Sequence, residues 1–452
     1  MAKYKAYPEY KDSGVEWLGV IPKGWTISKV KYLAPFQVGW TPSTKNDANF
    51  IGDNLWVNIS DLKDKFISST AKCISDKAAK EASMDITPRG SLLYSFKLSV
   101  GAVSFAGCDL YTNEAIASFL DQAQLPLSYL YYALPIFIIE NASTNIYGAK
   151  ILNQELIKNS FLLAPSHSEA KKVAQFLDHE TAKIDNLIEK QQQLIELLKE
   201  KRQAVISHAV TKGLNPVVPM KDSGVEWLGE VPEHWRVSRI KNYAKIESGH
   251  TPSRTKPEYW VSCNIPWVSL NDSKQLKEVD YIEDTFYKIS ELGMANSSAH
   301  LLPARAVVFT RDASIGLSAI TTKTMAVSQH LIAWICDEKF IIPEFLLLVF
   351  YAMEKEFERY TFGATIKTIG MDNVRGLKST FPPIEEQRNL IDWAFSKIEK
   401  IKSSINKVED MLSLLQERRT ALISAAVTGK IDVRDWVAPD TQNAEKQQEA
   451  TA

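Results

Sequence analysis

Two loops of matching sequence carry the residues best suited to contact a polyanion. Residues 39–45 and 249–256 each combine hydroxyl side chains, a turn stiffened by proline and a basic residue. Lys97 and Arg311 place a further cation shortly before Gly101 and Gly316. Such groups fix phosphates or hydrogen-bond to base edges, although ordinary surface loops also contain them. Taken alone, the loops are weak candidates for phosphate or base contacts.

Catalytic chemistry finds less support. The sequence has no GxGxxG, P-loop, GxSxG or HExxH motif. Asp61 and Asp272 recur in the two halves of the chain without a second carboxylate at constant spacing. This favours aspartates that cap turns over an acid–base pair. The four cysteines lie far apart with no CxxC pair, so we expect buried, reduced thiols rather than a metal site.

The candidate loops belong to an internal duplication. The sequence Lys-Asp-Ser-Gly-Val-Glu-Trp-Leu-Gly at residues 11–19 recurs at 221–229, and a Gly-x-Thr-Pro-Ser turn follows at 39–43 and at 249–253. A glycine kept in both copies indicates backbone that needs positive φ or a close approach. We expect this at Gly101 with Gly316 and at Gly148 with Gly363.

Aromatic residues and short apolar runs indicate the interior of each half. The first half contains Trp17, Trp25, Trp40 and Trp56, most of which recur in the second half. We expect these tryptophans to pack as core anchors. Residues 90–95 and 304–310 have the composition of strands bounded by turns. Each half is therefore predicted to be a mixed α+β domain.

A long helix is predicted at the end of each half, from apolar residues that alternate spacings of three and four. The first seam is Ile184, Ile188, Ile195, Leu198 and Val205, and the second is Ile398, Ile401, Ile405, Val408, Leu412, Leu415 and Leu422. Gly213 and Gly429 predict the two helix ends. Helices of about 40 residues need a partner along their length, and pairing within the chain is favoured over pairing between chains because of the covalent tether.

Composition limits the remaining possibilities. The chain has 452 residues, 45% hydrophobic and 24% charged, which predicts a soluble protein of two or three domains. A net charge of -1 gives no general attraction to nucleic acid, so any such binding must come from local clusters. The polar start and the short apolar runs at 127–139 and 341–353, broken by Pro135 and Pro343, predict a cytoplasmic protein.

The order of four motifs is specific. They are the repeated segment at 11–19 and 221–229, the Gly-x-Thr-Pro-Ser turns, Phe-Pro-Pro-Ile-Glu-Glu-Gln at 381–387, and Glu-Arg-Arg-Thr-Ala-Leu-Ile-Ser at 417–424. From about Tyr10 to Asp432, the chain resembles the specificity subunit of type I restriction-modification systems. The first copy departs from the pattern at 164–169, where Ala-Pro-Ser-His-Ser-Glu leaves the geometry of its helix start open.

The resemblance implies an α+β chain in which two target-recognition domains (1–165 and 214–382) alternate with two long spacer helices (166–213 and 383–430). The helices would pair as an antiparallel coiled coil in a pseudo-twofold repeat. Residues 431–452 would form a tail that is disordered at its end. Each domain would read one half of an asymmetric, bipartite site in double-stranded DNA, while the helices set the spacer length.

The partners implied by the resemblance are two methyltransferase subunits, docked on the helix seams, and restriction/translocase subunits attached through them. The chain itself would be non-catalytic and bind no cofactor; S-adenosylmethionine, ATP and Mg would belong to the partners. Much of the phosphate affinity would come from the methyltransferases. The expected DNA contacts of this chain are Thr41, Ser43, Lys45, Lys63, Lys97, Thr251, Ser253, Arg254, Lys274, Arg311 and Lys367.

Two other functions stay open. A DNA methyltransferase or nuclease would carry a methyl-donor glycine loop with an Asn-Pro-Pro-aromatic or Asp-Pro-Pro-aromatic motif, or an acidic metal cluster, and the sequence has neither. A scaffold that joins proteins without contacting DNA is compatible with the sequence, but it leaves the diverged loops of the duplicated domains without a purpose.

Overall fold

The computed structural model describes residues 4–144, 148, 150–362 and 367–438. The chain forms two compact units that do not follow chain order: unit 1 comprises residues 1–190 and 411–452, and unit 2 comprises residues 191–410. Each unit holds one globular domain and a part of each long helix. The predicted Gly363 and most of the predicted tail, from 439 onward, lie outside the described residues.

The globular domain of unit 1 is built from short strands and short helices. Its helices are α1 (Val30–Leu33), α2 (Asp76–Glu81), α3 (Leu127–Ile139) and α4 (Gln154–Asn159). Its strands are β1 (Tyr10–Asp12), β2 (Val20–Pro22), β3 (Thr26–Lys29), β4 (Phe36–Val38), β5 (Asn54–Val57), β6 (Phe66–Ile67), β7 (Lys72–Ile74), β8 (Leu92–Ser95), β9 (Val103–Ala106), β10 (Tyr111–Thr112), β11 (Ile116–Phe119), β12 (Ser143–Thr144), β13 (Lys150–Ile151) and β14 (Phe161–Ala164). The long helix α5 (His167–Thr211) follows.

The domain of unit 2 repeats this succession. Its helices are α6 (Ser273–Glu278), α7 (Glu291–Ala295), α8 (Pro343–Ala352), α9 (Glu354–Phe357) and α10 (Met371–Gly376), and the long helix α11 (Ile384–Val427) ends it. Its strands are β15 (Met220–Asp222), β16 (Glu230–Pro232), β17 (Arg236–Arg239), β18 (Ala244–Ser248), β19 (Ile265–Val268), β20 (Tyr281–Ile282), β21 (Tyr287–Ile289), β22 (Val307–Thr310), β23 (Ser318–Thr321), β24 (Ala326–Val327), β25 (Leu331–Cys336), β26 (Thr361–Phe362), β27 (Thr368–Ile369) and β28 (Lys378–Phe381).

The central sheets of the two units have the same topology. The strand order is β4-β11-β8-β9-β6 in unit 1 and β18-β25-β22-β23-β20 in unit 2. Neighbouring strands are antiparallel except at one edge, where β6 pairs with β9 and β20 with β23 in parallel. A three-stranded sheet accompanies each, in the order β10-β5-β7 and β21-β19-β24. The predicted α+β class and internal repeat are confirmed.

Each central sheet is covered on both faces. Along β8, Leu92 and Tyr94 pack in the cluster that contains α3, while Leu93 packs in the cluster of Val57 and Ile116 on the other face. Alternate residues of a strand point to opposite faces, which is why the segment is apolar throughout instead of alternating with polar residues. Both faces of the sheet are therefore buried within the unit.

The ends of both long helices follow the predicted signals. Gly213 and Gly429 lie just beyond α5 and α11 with φ of 72° and 73°, the left-handed conformation that terminates helices. The start of α5 differs from that of α11, as the divergent sequence at 164–169 suggested. Ser166 Oγ accepts the Glu169 N–H at 3.3 Å, whereas the buried Gln387 of α11 donates through Nε2 to the Pro382 carbonyl at 2.8 Å.

Within each unit the two helix segments run antiparallel. In unit 1, Arg419 of α11 pairs with Asp185 of α5 at 2.7 Å, and farther back along α5 Lys172 contacts the Arg434 carbonyl, which follows α11. In unit 2, the rings of His208 and Trp393 lie 5.8 Å apart. The predicted seam residues are buried or half-buried, whereas neighbours such as Leu197 and Leu414 are 61% and 59% exposed.

Three sequence expectations need correction. Pro135 does not break its apolar run, because α3 continues through it at the cost of one main-chain hydrogen bond. Trp25 and Trp56 are buried, but Trp17 and Trp40 are 43% and 58% exposed, so these two are not core anchors. The four cysteines are unpaired and half-buried rather than buried. Among the described residues, no helix is both long and apolar enough to cross a bilayer.

Candidate nucleic-acid interface

Three segments of unit 1 meet at one end of its central sheet. They are the loop that follows β4 (39–45), the β8–β9 turn (96–102) and the β10–β11 turn (113–115), and together they are called tip 1. The Trp40 N–H donates to the Thr112 carbonyl at 3.0 Å, and the Phe96 N–H donates to the Ala115 carbonyl at 3.0 Å. These main-chain bonds place the loops side by side.

The same construction recurs in unit 2. Tip 2 consists of the loop after β18 (249–256), the β22–β23 turn (311–317), the β24–β25 turn (328–330), and residues 367–368 of the β26–β27 hairpin. The His250 N–H donates to the Val327 carbonyl at 3.1 Å, and the Arg311 N–H donates to the His330 carbonyl at 3.0 Å. Both bonds are the counterparts of those in tip 1.

Close packing of backbone explains the glycine of the repeated Gly-x-Thr-Pro-Ser turn. A Cβ on Gly39 would lie 1.8 Å from the Thr112 carbonyl oxygen, and one on Gly249 would lie 2.2 Å from the Ser328 carbonyl oxygen. Any side chain at these positions would push the two loops of a tip apart. The glycine of the motif thus allows its threonine to lie next to the neighbouring turn.

The other shared glycines whose backbone is described have the expected positive φ. Gly101 and Gly316 have φ of 92° and 88°, and Gly148 has φ of 80°. Positive φ is accessible to glycine at little cost and rare for other residues. For Gly101, Gly148 and Gly316 the prediction of a constraint from the fold is therefore confirmed.

The threonine of each turn contacts a different side chain in the two units. The Thr41 hydroxyl donates to the Glu114 carboxylate, and the Thr251 hydroxyl donates to the Gln329 amide oxygen. Glu114 is half-buried and Gln329 is exposed. These two positions correspond in the fold. One lies in the turn that leads into β11 and the other in the turn that leads into β25, and each of these strands pairs with the first edge strand of its central sheet.

Tip 2 continues this contact into a chain of hydrogen bonds. Gln329 Nε2 lies 3.2 Å from His330 Nε2, and His330 Nδ1 lies 2.7 Å from Asp312 Oδ2. The Thr368 hydroxyl donates to the other oxygen of Asp312. The geometry assigns the imidazole hydrogen to Nδ1, so that Nε2 accepts from the glutamine amide.

Most of the predicted contact residues lie on the tips. On tip 1, Ser43, Lys45 and Lys97 are exposed and Thr41 is half-buried. On tip 2, the exposed residues are Ser253, Arg254 and Lys367, while Thr251 and Arg311 are half-buried. The Arg311 Nε lies 3.5 Å from Asp312 Oδ1, so part of its charge is offset within the unit.

Lys63 and Lys274 lie elsewhere. Lys63 precedes β6 and Lys274 lies in α6, which precedes β20, so both are on segments leading to the opposite edge of their sheets. Both side chains are exposed. The fold therefore groups nine of the eleven predicted residues at the tips and sets these two apart.

Sequence reasoning missed several tip residues. Trp40 and His250 occupy the x position of the Gly-x-Thr-Pro-Ser turns, and both side chains are exposed. Leu98 is 91% exposed and has φ of 56°, a strained conformation for a branched side chain. For Trp40 the available signal was its replacement by histidine inside an otherwise matching motif, whereas Leu98, which corresponds to Ala313, lies outside the matching motifs.

The two recurring aspartates have the structural role that the sequence favoured. Asp61 Oδ2 accepts the Asn58 N–H at 2.9 Å, and Asp272 Oδ2 accepts the Ser269 N–H at 2.8 Å. Each closes a capping box on a short 3-10 turn. Within the described part of the chain, no group of three or more His, Cys, Asp or Glu side chains is arranged to hold a metal ion.

Comparison with known proteins places this architecture. The family model for the type I restriction modification DNA specificity domain matches residues 22–197 and 232–409. The chain is 25% identical to the MjaIX specificity subunit of Methanocaldococcus jannaschii, over 96% of this chain and 99% of that protein.

Two solved structures share the fold. A chain of a type I R-M system, from work on its complex assembly and conformational transition, superposes with a TM-score of 0.70 at 14% identity, covering 91% of this chain and 99% of that one. The HsdS subunit of Thermoanaerobacter tengcongensis gives a TM-score of 0.52 at 13% identity, covering 91% and 98%. With both repeats matched by the family model, this chain belongs to the type I restriction modification DNA specificity family.

Proposed function

We propose that the chain is the DNA-reading subunit of a type I restriction-modification complex, with tip 1 and tip 2 each reading one half of an asymmetric, bipartite site. The observation that carries this proposal is that the two tips share a backbone frame, meaning the main-chain contacts that place their loops side by side, but present unlike side chains. Both tips keep the glycine contact and the threonine, while position 114 is glutamate and position 329 is glutamine. Two readers with different contact groups suit two different half-sites.

The side chains of the tips provide groups for both kinds of DNA contact. Exposed lysines and arginines, such as Lys45 and Arg254, would bind phosphates. The hydroxyl and amide groups beside them would reach base edges. A net charge of -1 leaves the chain without a broad electrostatic pull on DNA, so methyltransferase subunits would supply much of the phosphate affinity.

The long helices would set the number of base pairs between the half-sites and dock two methyltransferase subunits, through which restriction/translocase subunits attach. At about 1.5 Å per residue, helices of 45 and 44 residues are long enough for this role. The chain would perform no catalysis, and S-adenosylmethionine, ATP and Mg would bind to the partners. A cytoplasmic location belongs to the same proposal.

Methylome sequencing tests the proposal directly. A host that supplies the methyltransferase subunits is compared with and without this gene, and the expected result is one new bipartite methylated motif. No new motif despite active methyltransferase subunits would overturn the proposal.

Two altered proteins then separate the parts. Exchanging residues 30–150 for those of another family member should change one half-site only. Inserting or deleting a heptad in both long helices should change the spacer only, because the tips are untouched. A chimera that alters both half-sites, or a heptad variant that alters the bases read, would contradict the division of roles.

A further inference from the structure

Position 114 of unit 1 and position 329 of unit 2 occupy the same place in the fold but differ in hydrogen-bonding chemistry. A glutamate carboxylate only accepts hydrogen bonds, whereas a glutamine amide both accepts and donates. Both side chains start from the turn between the three-stranded and the central sheet, and both meet the threonine of the Gly-x-Thr-Pro-Ser turn. The repeat therefore offers two readers that differ by one functional group at one fixed position.

The threonines hold these side chains in a defined orientation. Thr251 donates to Oε1 of Gln329, and His330 accepts from its Nε2, which leaves one N–H and one lone pair of the amide for another molecule. Thr41 donates to Oε2 of Glu114, and no described donor reaches Oε1. Side chains held by neighbours lose less conformational entropy when they bind, so they discriminate better than free ones.

Neither side chain suits a phosphate. A carboxylate repels the DNA backbone, and a neutral amide contributes little to its binding compared with the exposed Lys45, Lys97 and Arg254 of the same tips. Both suit base edges in the major groove. A carboxylate accepts from the N4 amino group of cytosine, and a glutamine amide forms a bidentate pair with N6 and N7 of adenine.

Building on the proposed function, we infer that Glu114 and Gln329 are specificity-determining residues, with Glu114 reading a cytosine in one half-site and Gln329 reading an adenine in the other. The competing explanation is that both side chains only anchor the threonine turns. The exchange Glu114→Gln separates the two explanations, because the amide oxygen still accepts from Thr41 while the contact offered to a base changes.

The experiment is methylome sequencing of hosts that express the methyltransferase subunits with the wild-type chain, with Glu114→Gln or with Gln329→Glu. The expected result for Glu114→Gln is a change at one position of one half-site, from cytosine toward adenine, by roughly 10-fold in relative methylation. Gln329→Glu is expected to shift one position of the other half-site from adenine toward cytosine. Glu155→Gln, which makes the same charge change on α4, is the matched control and should leave the motif unchanged.

A second measurement keeps the test decisive if a variant is damaged. The thermal midpoints of both variants are compared with wild type, and Thr41→Val is included because it removes the hydroxyl that orients Glu114. Thr41→Val should reduce the preference for cytosine at that one position without replacing it by another base. An unchanged motif in a folded Glu114→Gln protein would overturn the inference, whereas failure of the wild-type chain to produce any bipartite motif would overturn the proposed function itself.

Discussion

Tip 1 and tip 2 share a backbone frame but differ in how their side chains are tied together. In tip 2, Asp312 is held by His330 and Thr368, and the chain continues through Gln329 to Thr251. In tip 1 the residue that corresponds to Asp312 is Lys97, which is exposed. Around this position tip 2 is thus internally bonded and tip 1 presents a cation, so the two copies share main-chain contacts and differ in the side chains that these contacts support.

The comparison predicts that changes to the frame have equal effects in both units. Gly39→Ala and Gly249→Ala should each destabilise their own unit by about 3 kcal/mol, because the new Cβ would overlap a main-chain carbonyl. Denaturant unfolding, monitored by hydrogen exchange in each unit, measures the change in the free energy of unfolding. Gly24→Ala is the control, since a Cβ there meets nothing within 4 Å. A large loss in one unit only would show that the frames are not equivalent.

Changes to the hydrogen-bonded side chains of tip 2 and to their counterpart in tip 1 should have unequal effects on stability. Asp312→Ala leaves His330 and Thr368 without their shared acceptor, and the expected cost is about 2 kcal/mol because Asp312 is mostly buried. Lys97→Ala, at the corresponding position of tip 1, should change stability by less than about 0.5 kcal/mol. The same unfolding measurements apply. Similar losses for both variants would contradict the view that tip 2 alone is bonded in this way.

A smaller difference is expected beside the ends of the long helices, at the tryptophan that follows the first hairpin of each unit. The Trp25 indole N–H donates to Glu169 Oε1 at 3.0 Å, whereas the buried Trp235 Nε1 has no described partner. Trp25→Phe should therefore cost about 1 kcal/mol more than Trp235→Phe, since both lose the same volume but only one loses a hydrogen bond. Equal losses of stability would exclude a net contribution from the Glu169 contact.

The frame was predictable because its signals are local or repeated. The heptad seams and the helix-ending Gly213 and Gly429 are recognised from neighbouring residues in the sequence. The turn glycines are recognised because they recur in both copies. The threonine–Glu114 contact joins residues 73 positions apart, and the Asp312–Thr368 contact joins residues 56 positions apart. Such pairs depend on strand order, which the sequence pattern leaves undetermined.

The exposure of large apolar residues was the second feature that the sequence pattern did not predict. Trp40 lies inside a repeated motif but is itself replaced by His250, and its expected core role was inferred together with the tryptophans that do recur. In the fold its carbonyl, and not its ring, serves the frame, because Trp56 Nε1 donates to it at 3.1 Å. The ring is left exposed at tip 1, where it is available to a binding partner.

The smallest expected effect concerns the strained turn of each tip. Leu98 and Ala313 have φ of 56° and 61°, so replacing either by glycine should relieve strain and raise stability by about 0.5 kcal/mol. The two variants should differ in DNA affinity. Leu98 is 91% exposed at the end of tip 1, and on the proposed function an apolar side chain there would contact thymine methyl groups or wedge between bases.

We expect Leu98→Gly to weaken binding of the reconstituted complex to its site several-fold while its thermal midpoint rises or stays constant, and Ala313→Gly to change the midpoint alone. Competition binding at fixed salt, with calorimetry of the same samples, measures both quantities. A gain in stability with loss of binding is the signature of strain retained for a contact, since a purely structural leucine would lose both or neither. If Leu98→Gly binds DNA as tightly as wild type, the difference between the tips resides in their polar side chains alone.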